Sequence, residues 1–196
     1  RRKLERFKEN EQSRNVIQPG KELFETIKGH WKSVQFENEN PLVVELACGR
    51  GEFTVGLARE YPSNNFIGVD IKGSRIWKGS TIAITEGLHN VAFLRTQIQL
   101  LDRYFDQGEI AELWITFPDP FPRDGDEKRR LTSPKFLEMY KPLIQKNGVI
   151  HFKTDNTGLF DYTLELIQSR SDCEILIHTH DFYASAFSDE HHGIQT

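Results

Sequence analysis

Cysteine is scarce in this chain: Cys48 and Cys173 are its only two, and they form no CxxC pair. A disulfide framework and a zinc site are therefore not expected. No run approaches the roughly 18 consecutive apolar residues that a membrane-spanning helix needs, and no signal peptide is visible. We expect a cytoplasmic protein that binds no metal and does not enter a membrane.

The chain also has fewer basic than acidic side chains, and its formal net charge is −4. That sign argues mildly against nucleic-acid binding over the whole surface. The exception is residues 1–14, whose six basic and three acidic side chains give +3 and leave −7 for the rest. A basic arm on an acidic body can contact phosphates, although charge alone also fits a solvated tail.

A helix is expected over 21–32, and we group residues 1–40 as a basic N-terminal arm with a leading helix.

From residue 41 onward, short apolar runs alternate with helical patterns. The runs are continuously apolar, as expected of parallel strands that are covered on both faces. The predicted strands lie near 42–46, 66–70, 91–95, 110–116, 148–153 and 173–179, and the predicted helices near 52–60, 74–86, 97–106, 133–145 and 157–169. This order predicts an α/β protein with a doubly wound, mostly parallel sheet. A single domain is expected over 41–196, and the chain is expected to continue beyond Thr196.

The best-defined motif is the first strand-to-helix turn, residues 43–51 (Val-Val-Glu-Leu-Ala-Cys-Gly-Arg-Gly). Glu45 ends the strand, and Gly49 and Gly51 let the backbone of the turn approach a ligand closely. A dinucleotide fingerprint would have a third glycine where this chain has Thr54, and the Gly-Lys-Ser/Thr of a P-loop is missing. A carboxylate beside the turn repels a pyrophosphate but favours the cationic amino-acid portion of S-adenosylmethionine. The spacing therefore favours S-adenosylmethionine, and a tight turn without a ligand is the alternative.

Two further side chains are placed for such a ligand. Asp70 ends the second strand, nineteen residues after Gly51, where it is positioned to accept hydrogen bonds from both ribose hydroxyls. Dinucleotide-binding folds use the same device, so Asp70 alone does not discriminate between ligands. Gln97, near the end of the third strand, either reaches the adenine edge or simply begins the next helix.

The fourth strand runs into a stiff loop with three prolines, residues 117–123 (Phe-Pro-Asp-Pro-Phe-Pro-Arg). Asp119 is held between two of these prolines at the edge where a doubly wound sheet binds its ligands. It is therefore a candidate for the chemistry, with a turn-forming aspartate as the alternative. The cations of 128–130 (Lys-Arg-Arg) either bind phosphates or pair with neighbouring acids. Asp155 follows the fifth strand at the same edge, where it either meets a substrate or caps the next helix.

Together these motifs resemble one family. They are Glu45 with 48–51 (Cys-Gly-Arg-Gly), 117–120 (Phe-Pro-Asp-Pro), 128–131 (Lys-Arg-Arg-Leu) and 153–155 (Lys-Thr-Asp). The pattern is similar to that of the bacterial tRNA (guanine-N7)-methyltransferase family over nearly the whole chain. Its most specific part is the proline-bracketed aspartate followed by the Lys-Arg-Arg cluster, because the glycine turn alone is shared by a broad class of methyltransferases.

The resemblance implies a Rossmann-like class I methyltransferase fold. It also implies transfer of a methyl group from S-adenosylmethionine to N7 of a variable-loop guanosine in tRNA. Our hypothesis for this reaction is that Asp119 is the catalytic residue. The cofactor contacts that it implies are Glu45, Asp70, Gln97 and Asp119. The tRNA contacts that it implies are Arg123, Asp155 and a Thr-x-Tyr-Glu motif that would begin at Thr196.

The chain departs from the family pattern at several positions. Ala47 stands where glycine is commoner, Gln97 where Asp or Asn is usual, and Phe121 where tryptophan is usual. Arg123 replaces a lysine, and 124–126 (Asp-Gly-Asp) replaces a stretch that is often basic. The last change weakens the case for phosphate contacts in this loop.

Other interpretations of the same residues are a methyltransferase that acts on another RNA, a protein or a small molecule, and a non-catalytic module that binds an adenosine ligand or RNA. An NAD-linked enzyme is disfavoured by Glu45 and Thr54, because the carboxylate repels a pyrophosphate and the threonine interrupts the glycine fingerprint.

Overall fold

The computed structural model describes residues 2–182 and 184–185, and this part of the chain contains a six-stranded sheet. Its strands are β1 (Val16–Ile17), β2 (Leu42–Leu46), β3 (Asn65–Asp70), β4 (Val91–Arg95), β5 (Ile110–Thr116) and β6 (Ile144–Lys153). All pairings are parallel, in the order β1-β4-β3-β2-β5-β6. The predicted α/β class, the doubly wound parallel sheet and the strands expected between residues 42 and 153 are confirmed.

The connections of the sheet reverse direction at β2. From β2 the chain moves outward to β3 and β4, and it then returns to place β5 on the other side of β2. A doubly wound sheet binds its ligands at such a reversal, outside the carboxyl ends of the strands. The crevice between the ends of β2 and β5 is therefore the expected site.

The helices are α1 (Arg2–Gln12), α2 (Glu22–Thr26), α3 (Glu52–Glu60), α4 (Gly73–Thr85), α5 (Pro134–Tyr140) and α6 (Thr157–Gln168). A π-helical turn spans Trp31–Phe36, and 3₁₀ turns span Ile98–Arg103 and Asp124–Arg129. The helix expected over 97–106 is thus a shorter 3₁₀ turn. The helix expected over 133–145 ends at Tyr140, because Pro142 has no N–H to continue it. Among these helices, none is long and apolar enough to cross a membrane.

Burial on both faces of the sheet explains why the strands are continuously apolar. All five residues of β2 are buried. Val44 belongs to a core cluster that includes Phe24 of α2 and Phe136 of α5, on one face of the sheet. Val43 points to the other face and belongs to a second cluster with Phe53 of α3 and Ile76 of α4.

The described part of the N-terminal arm is packed against the sheet domain and is not a solvated tail. β1 pairs with β4 at the edge of the sheet, and α1 lies against α4, where the Asn10 side chain donates to the Gly73 carbonyl at 2.8 Å. The helix expected over 21–32 is divided into α2 and the π-helical turn, because Gly29 adopts a left-handed φ of 74° between them.

The strand expected over 173–179 is wrong. These residues have no regular secondary structure, and the side chains of Leu176 and Ile177 are 68% and 55% exposed. A strand needs a neighbour to satisfy its backbone groups, and the apolar run Ile175–Ile177 makes no ladder within the described residues. The strand expected at 148–153 instead begins at Ile144, and an irregularity precedes Val149, near Asn147 with its φ of 61°.

Candidate active site

The carboxyl ends of four neighbouring strands bring most of the predicted site residues to one edge of the sheet. Leu46 of β2 is in register with Val69 of β3 and with Ile115 of β5, so these strands end nearly level. Thr116 of β5 is paired with Lys153 of β6. Glu45, Asp70, Asp119 and Asp155 therefore all belong to this edge.

The two glycines of the first turn serve different purposes. Gly49 (φ 59°) and Gly51 (φ 76°) are both left-handed, which favours glycine. A Cβ added to Gly49 would meet nothing within 4 Å, so the backbone there is open to a ligand. A Cβ on Gly51 would lie 2.5 Å from Cε1 of Phe93, so the ring of Phe93 requires glycine at this position. Ala47 also has a left-handed φ, of 56°, at the position where the family commonly has glycine.

Backbone N–H groups hold the carboxylate of Asp70 in place. One oxygen accepts from the Gly49 N–H at 3.1 Å and the other from the Lys72 N–H at 2.7 Å. Each carboxylate oxygen still has capacity for another donor. This arrangement connects the end of β3 to the glycine turn and fixes the two carboxylate oxygens of Asp70 at the sheet edge.

Glu45 is a strongly perturbed carboxyl group at this edge. Its side chain is 4% exposed, and its two oxygens accept hydrogen bonds from the Thr54 hydroxyl and, at 2.7 Å, from the Thr116 hydroxyl. Burial raises the pKa of Glu45 to about 7, although the two hydroxyl donors act in the opposite direction. Glu45 thus joins the end of β2, the first turn of α3 and the end of β5.

Thr54 and Thr116 are site residues that sequence reasoning missed. In the sequence, Thr54 stands out only as a missing glycine, and Thr116 only as the end of a strand. The signal for Thr54 is its position in the first turn of α3, directly after the glycine turn. Thr116 has no comparable signal, because its contact with Glu45 depends on the register between β2 and β5.

Cys48 lies beneath the turn as a packing residue. Its side chain is buried, and burial is the main reason that the pKa of its thiol is raised. A protonated, enclosed thiol is a poor nucleophile. Among the described residues, no group of three or more His, Cys, Asp or Glu side chains is arranged to hold a metal ion.

The proline loop is fixed at both ends and presents Asp119 between them. The Phe117 N–H donates to the Lys153 carbonyl at 2.8 Å, and the Arg130 side chain donates to the Phe121 carbonyl at 3.1 Å. Phe117 and Phe121 both have left-handed φ values, 46° and 43°. Such strain, of about 1–3 kcal/mol per residue, is typical of functional sites. Asp119 is exposed, and no described residue forms a hydrogen bond or ion pair with its carboxylate.

Most of the cations after the loop are occupied by contacts with neighbouring side chains. Arg130 is buried, and its guanidinium lies 4.3 Å from the ring centre of Tyr162. Arg129 forms an ion pair with Asp126 at 3.0 Å and lies 4.2 Å from the ring centre of Phe121. Pairing with local partners therefore accounts for two of the three consecutive cations. Arg123 is exposed at the start of the 3₁₀ turn.

The remaining predicted site residues are Asp155, Gln97 and Thr196. Asp155 is exposed, and it does not cap α6, since Asn156 accepts the Leu159 N–H at 2.8 Å. Gln97 is exposed just before the 3₁₀ turn at the end of β4. Thr196 lies outside the described residues.

Comparison with known proteins identifies similar sequences over the whole chain. Residues 39–190 match a family described as putative methyltransferase. The chain is 48% identical over 197 residues to the tRNA (guanine-N(7)-)-methyltransferase of Cytophaga hutchinsonii, covering 100% of this chain and 89% of that protein. It is 49% identical over 200 residues to the enzyme of the same name from Christiangramia forsetii, covering 99% of this chain and 88% of that protein.

Solved structures with a similar fold are also methyltransferases. The aminoglycoside resistance methyltransferase NpmB1 aligns with a TM-score of 0.52 at 15% identity, covering 82% of this chain and 75% of that one. The 16S rRNA methyltransferase KamB aligns with a TM-score of 0.51 at 19% identity, covering 63% of this chain and 57% of that one. At these identities the similarity supports the fold alone.

Proposed function

We propose that this chain, which belongs to the family of tRNA (guanine-N(7)-)-methyltransferases, transfers a methyl group from S-adenosylmethionine to N7 of a variable-loop guanosine in tRNA. The structural observation that carries the proposal is Asp119, whose carboxylate is exposed in a loop fixed at both ends. The methyltransferase domain corresponds to 41–196, and it follows the basic N-terminal arm and leading helix of 1–40.

The sheet edge fits S-adenosylmethionine at three points. The open space at Gly49 admits the ligand against the turn, and the fixed carboxylate of Asp70 accepts hydrogen bonds from the ribose hydroxyls. Glu45 provides negative charge for the cationic amino-acid end. The full set of residues assigned to the cofactor is Glu45, Gly49, Gly51, Asp70, Gln97 and Asp119.

Guanine N7 imposes a simple chemical requirement. It carries an in-plane lone pair and no proton, so methylation needs no general base. Bound S-adenosylmethionine would supply an electrophilic methyl group, and transfer of that group to N7 would leave the electron pair of the broken carbon–sulfur bond on sulfur. The protein therefore has to position the base and stabilise the positive charge that passes to the imidazole ring.

Asp119 and Asp155 meet this requirement from neighbouring strand ends. Two exposed carboxylates at the ends of β5 and β6 hold the guanine and favour its positive charge, with Asp119 as the catalytic residue. Phe117, which is 40% exposed, stacks on the base, and Arg123 contacts the RNA. Because a base inside folded tRNA is not accessible at N7, the guanosine is turned out of its stack before transfer.

Incubation with unmodified tRNA and methyl-labelled S-adenosylmethionine tests the proposed function. We expect label in the tRNA, and nucleoside mass spectrometry should identify it as N7-methylguanosine. Label in a different nucleoside, or in protein or a small molecule, would assign the enzyme to another substrate. Cofactor binding without transfer to any acceptor would instead indicate a non-catalytic module.

Adjacent alanine substitutions at Asp155 and Asn156 should have separate effects. Asn156→Ala removes the cap of α6, which is worth about 1 kcal/mol, and should lower Tm by about 2–4 °C. Asp155→Ala should leave Tm unchanged, raise KM for tRNA about tenfold, the effect of losing one charged hydrogen bond, and also lower kcat, because the carboxylate favours the charge that develops on guanine. Thermal denaturation and steady-state kinetics on both variants provide the measurement. A lower Tm with normal KM for Asp155→Ala would remove Asp155 from the substrate site.

A further inference from the structure

A basic groove lies between α1 and the first turns of α4. Its cavity has a volume of about 380 Å³, and its lining residues are Arg6, Arg50, Ser74, Arg75, Trp77 and Lys78. Four of the six side chains are cationic, and none is acidic. We call it the α1–α4 groove. The protein as a whole has a net charge of −4, so this local excess of positive charge favours binding of an anionic partner.

The walls of the groove are held in place by specific contacts. Glu9 of α1 accepts a hydrogen bond from the indole of Trp77, and the Arg6 guanidinium lies 4.5 Å from the centre of the same ring. A Cβ on Gly73 would lie 2.9 Å from the ring of Phe7, so glycine allows α1 to approach α4 closely here. The groove is therefore formed before any ligand binds.

The cations of the groove are available to a ligand. Arg50 and Arg75 are exposed, and their guanidinium groups form no hydrogen bond or ion pair with other described residues. Lys78 pairs with Glu52 at 3.1 Å, but both side chains are more than a third exposed, and such surface pairs contribute little. Glu5 and Glu9 line the adjoining depression with Arg6 and Trp77 and limit the positive field on that side.

The position of the groove connects it to the proposed active site. Arg50 belongs to the glycine turn, and α4 begins directly after β3, which ends at Asp70. A ligand in the groove would therefore lie next to the cofactor. The end of α1 and the segment after it lie along α4 from this edge, since Asn10 of α1 contacts Gly73 and Asn15 contacts Ser80.

We propose that the α1–α4 groove binds the phosphate backbone of the tRNA substrate. The inference rests on the proposed function, because it takes tRNA as the polyanion that is present when the site is used. Several neighbouring phosphates can occupy the separated cations at once, and each contact makes binding weaker as salt increases.

The test is a double charge reversal, Arg75→Glu with Lys78→Glu. We expect KM and Kd for tRNA to rise at least tenfold, while kcat at saturating tRNA and Kd for S-adenosylmethionine stay within twofold. The slope of log Kd against log salt concentration should decrease by about 1.5, as for the loss of two phosphate contacts. Kd for tRNA is measured directly by fluorescence anisotropy without turnover.

The matched control is Arg103→Glu with Lys146→Glu, which changes the net charge equally. Both residues are exposed; Arg103 closes the 3₁₀ turn whose Leu101 packs on the opposite face of the sheet from α4. This control should change Kd for tRNA less than twofold. The neutral pair Arg75→Gln with Lys78→Gln replaces the charge reversal if the latter fails to fold.

Equal weakening by the groove and control variants, or normal tRNA binding by the groove variants, would overturn the proposal. So would a wild-type protein that does not bind tRNA. A wild type that binds tRNA without methylating it would contradict the proposed function, while the anisotropy comparison would still decide the role of the groove.

Discussion

Asp119→Ala is expected to lower kcat for tRNA methylation by about 100- to 1000-fold, the usual effect of removing one electrostatic stabiliser of a transition state. Affinity for S-adenosylmethionine should fall by no more than about tenfold, as for one charged hydrogen bond. The fold should be unaffected, because the carboxylate has no partner among the described residues. The backbone contacts of Phe117 and Phe121 hold the loop whatever residue stands at 119.

Asp124→Ala is the matched control for Asp119→Ala. Asp124 is also an exposed carboxylate and lies five residues further along the chain, in the 3₁₀ turn. Steady-state kinetics with tRNA, cofactor titration and Tm should be measured on both variants. A normal kcat for Asp119→Ala, or an equal loss for Asp124→Ala, would show that the proline loop does not carry the chemistry as assigned.

The parts of the site that the sequence could predict are those with local signals. A strand that breaks into a glycine turn predicts the position of Glu45 and Gly49, and three prolines predict the stiff loop around Asp119. Parallel strands of a doubly wound sheet present their carboxyl ends at one edge. The separate motifs could therefore be placed together without knowledge of any side-chain contact.

The parts that could not be predicted depend on contacts distant in sequence. The hydrogen bond from Thr116 to Glu45 spans 71 positions and follows from strand register. The docking of α1 depends on Phe7 meeting Gly73, and neither residue marks its partner in the sequence. Local pattern also misled at 173–179, because the apolar run at 175–177 has strand propensity but no neighbouring strand in the described structure.

Glu45 illustrates a conflict between stability and function. Its folded-state pKa, about 7, is above the 4.5 of an unperturbed carboxyl. The folded state therefore holds the proton more tightly than the unfolded state. The stability linked to this proton is fully present below pH 4.5 and is lost as the pH rises through about 7. At one pKa unit per 1.36 kcal/mol, the loss is about 3 kcal/mol.

Glu45→Gln should therefore stabilise the protein at high pH. The amide keeps a similar shape between the Thr54 and Thr116 hydroxyls, which can rotate to donate or accept, but it never ionises. We expect Tm of the variant to exceed that of the wild type by roughly 5–10 °C at pH 8 and to be within about 3 °C at pH 5. Thermal denaturation between pH 5 and 8 measures the difference. Glu39→Gln, which changes an exposed carboxylate in the loop before β2, is the control and should show no such pH dependence.

The same substitution should weaken the cofactor site. A cationic ligand binds the ionised form of Glu45 more tightly than the neutral form, so wild-type affinity for S-adenosylmethionine should rise as the pH increases through about 7. Calorimetry near pH 7 should accordingly detect proton release on binding. Glu45→Gln should bind about ten- to a hundredfold more weakly at pH 8, consistent with the loss of a hydrogen-bonded charge, and with little pH dependence. A variant that is more stable at pH 8 but binds the cofactor normally would confirm that the pKa of Glu45 is raised by burial. It would also exclude Glu45 as the residue that binds the cationic end of the cofactor. If stability and affinity change in opposite directions, the chain maintains a buried charge at the end of β2 because the cofactor requires it there.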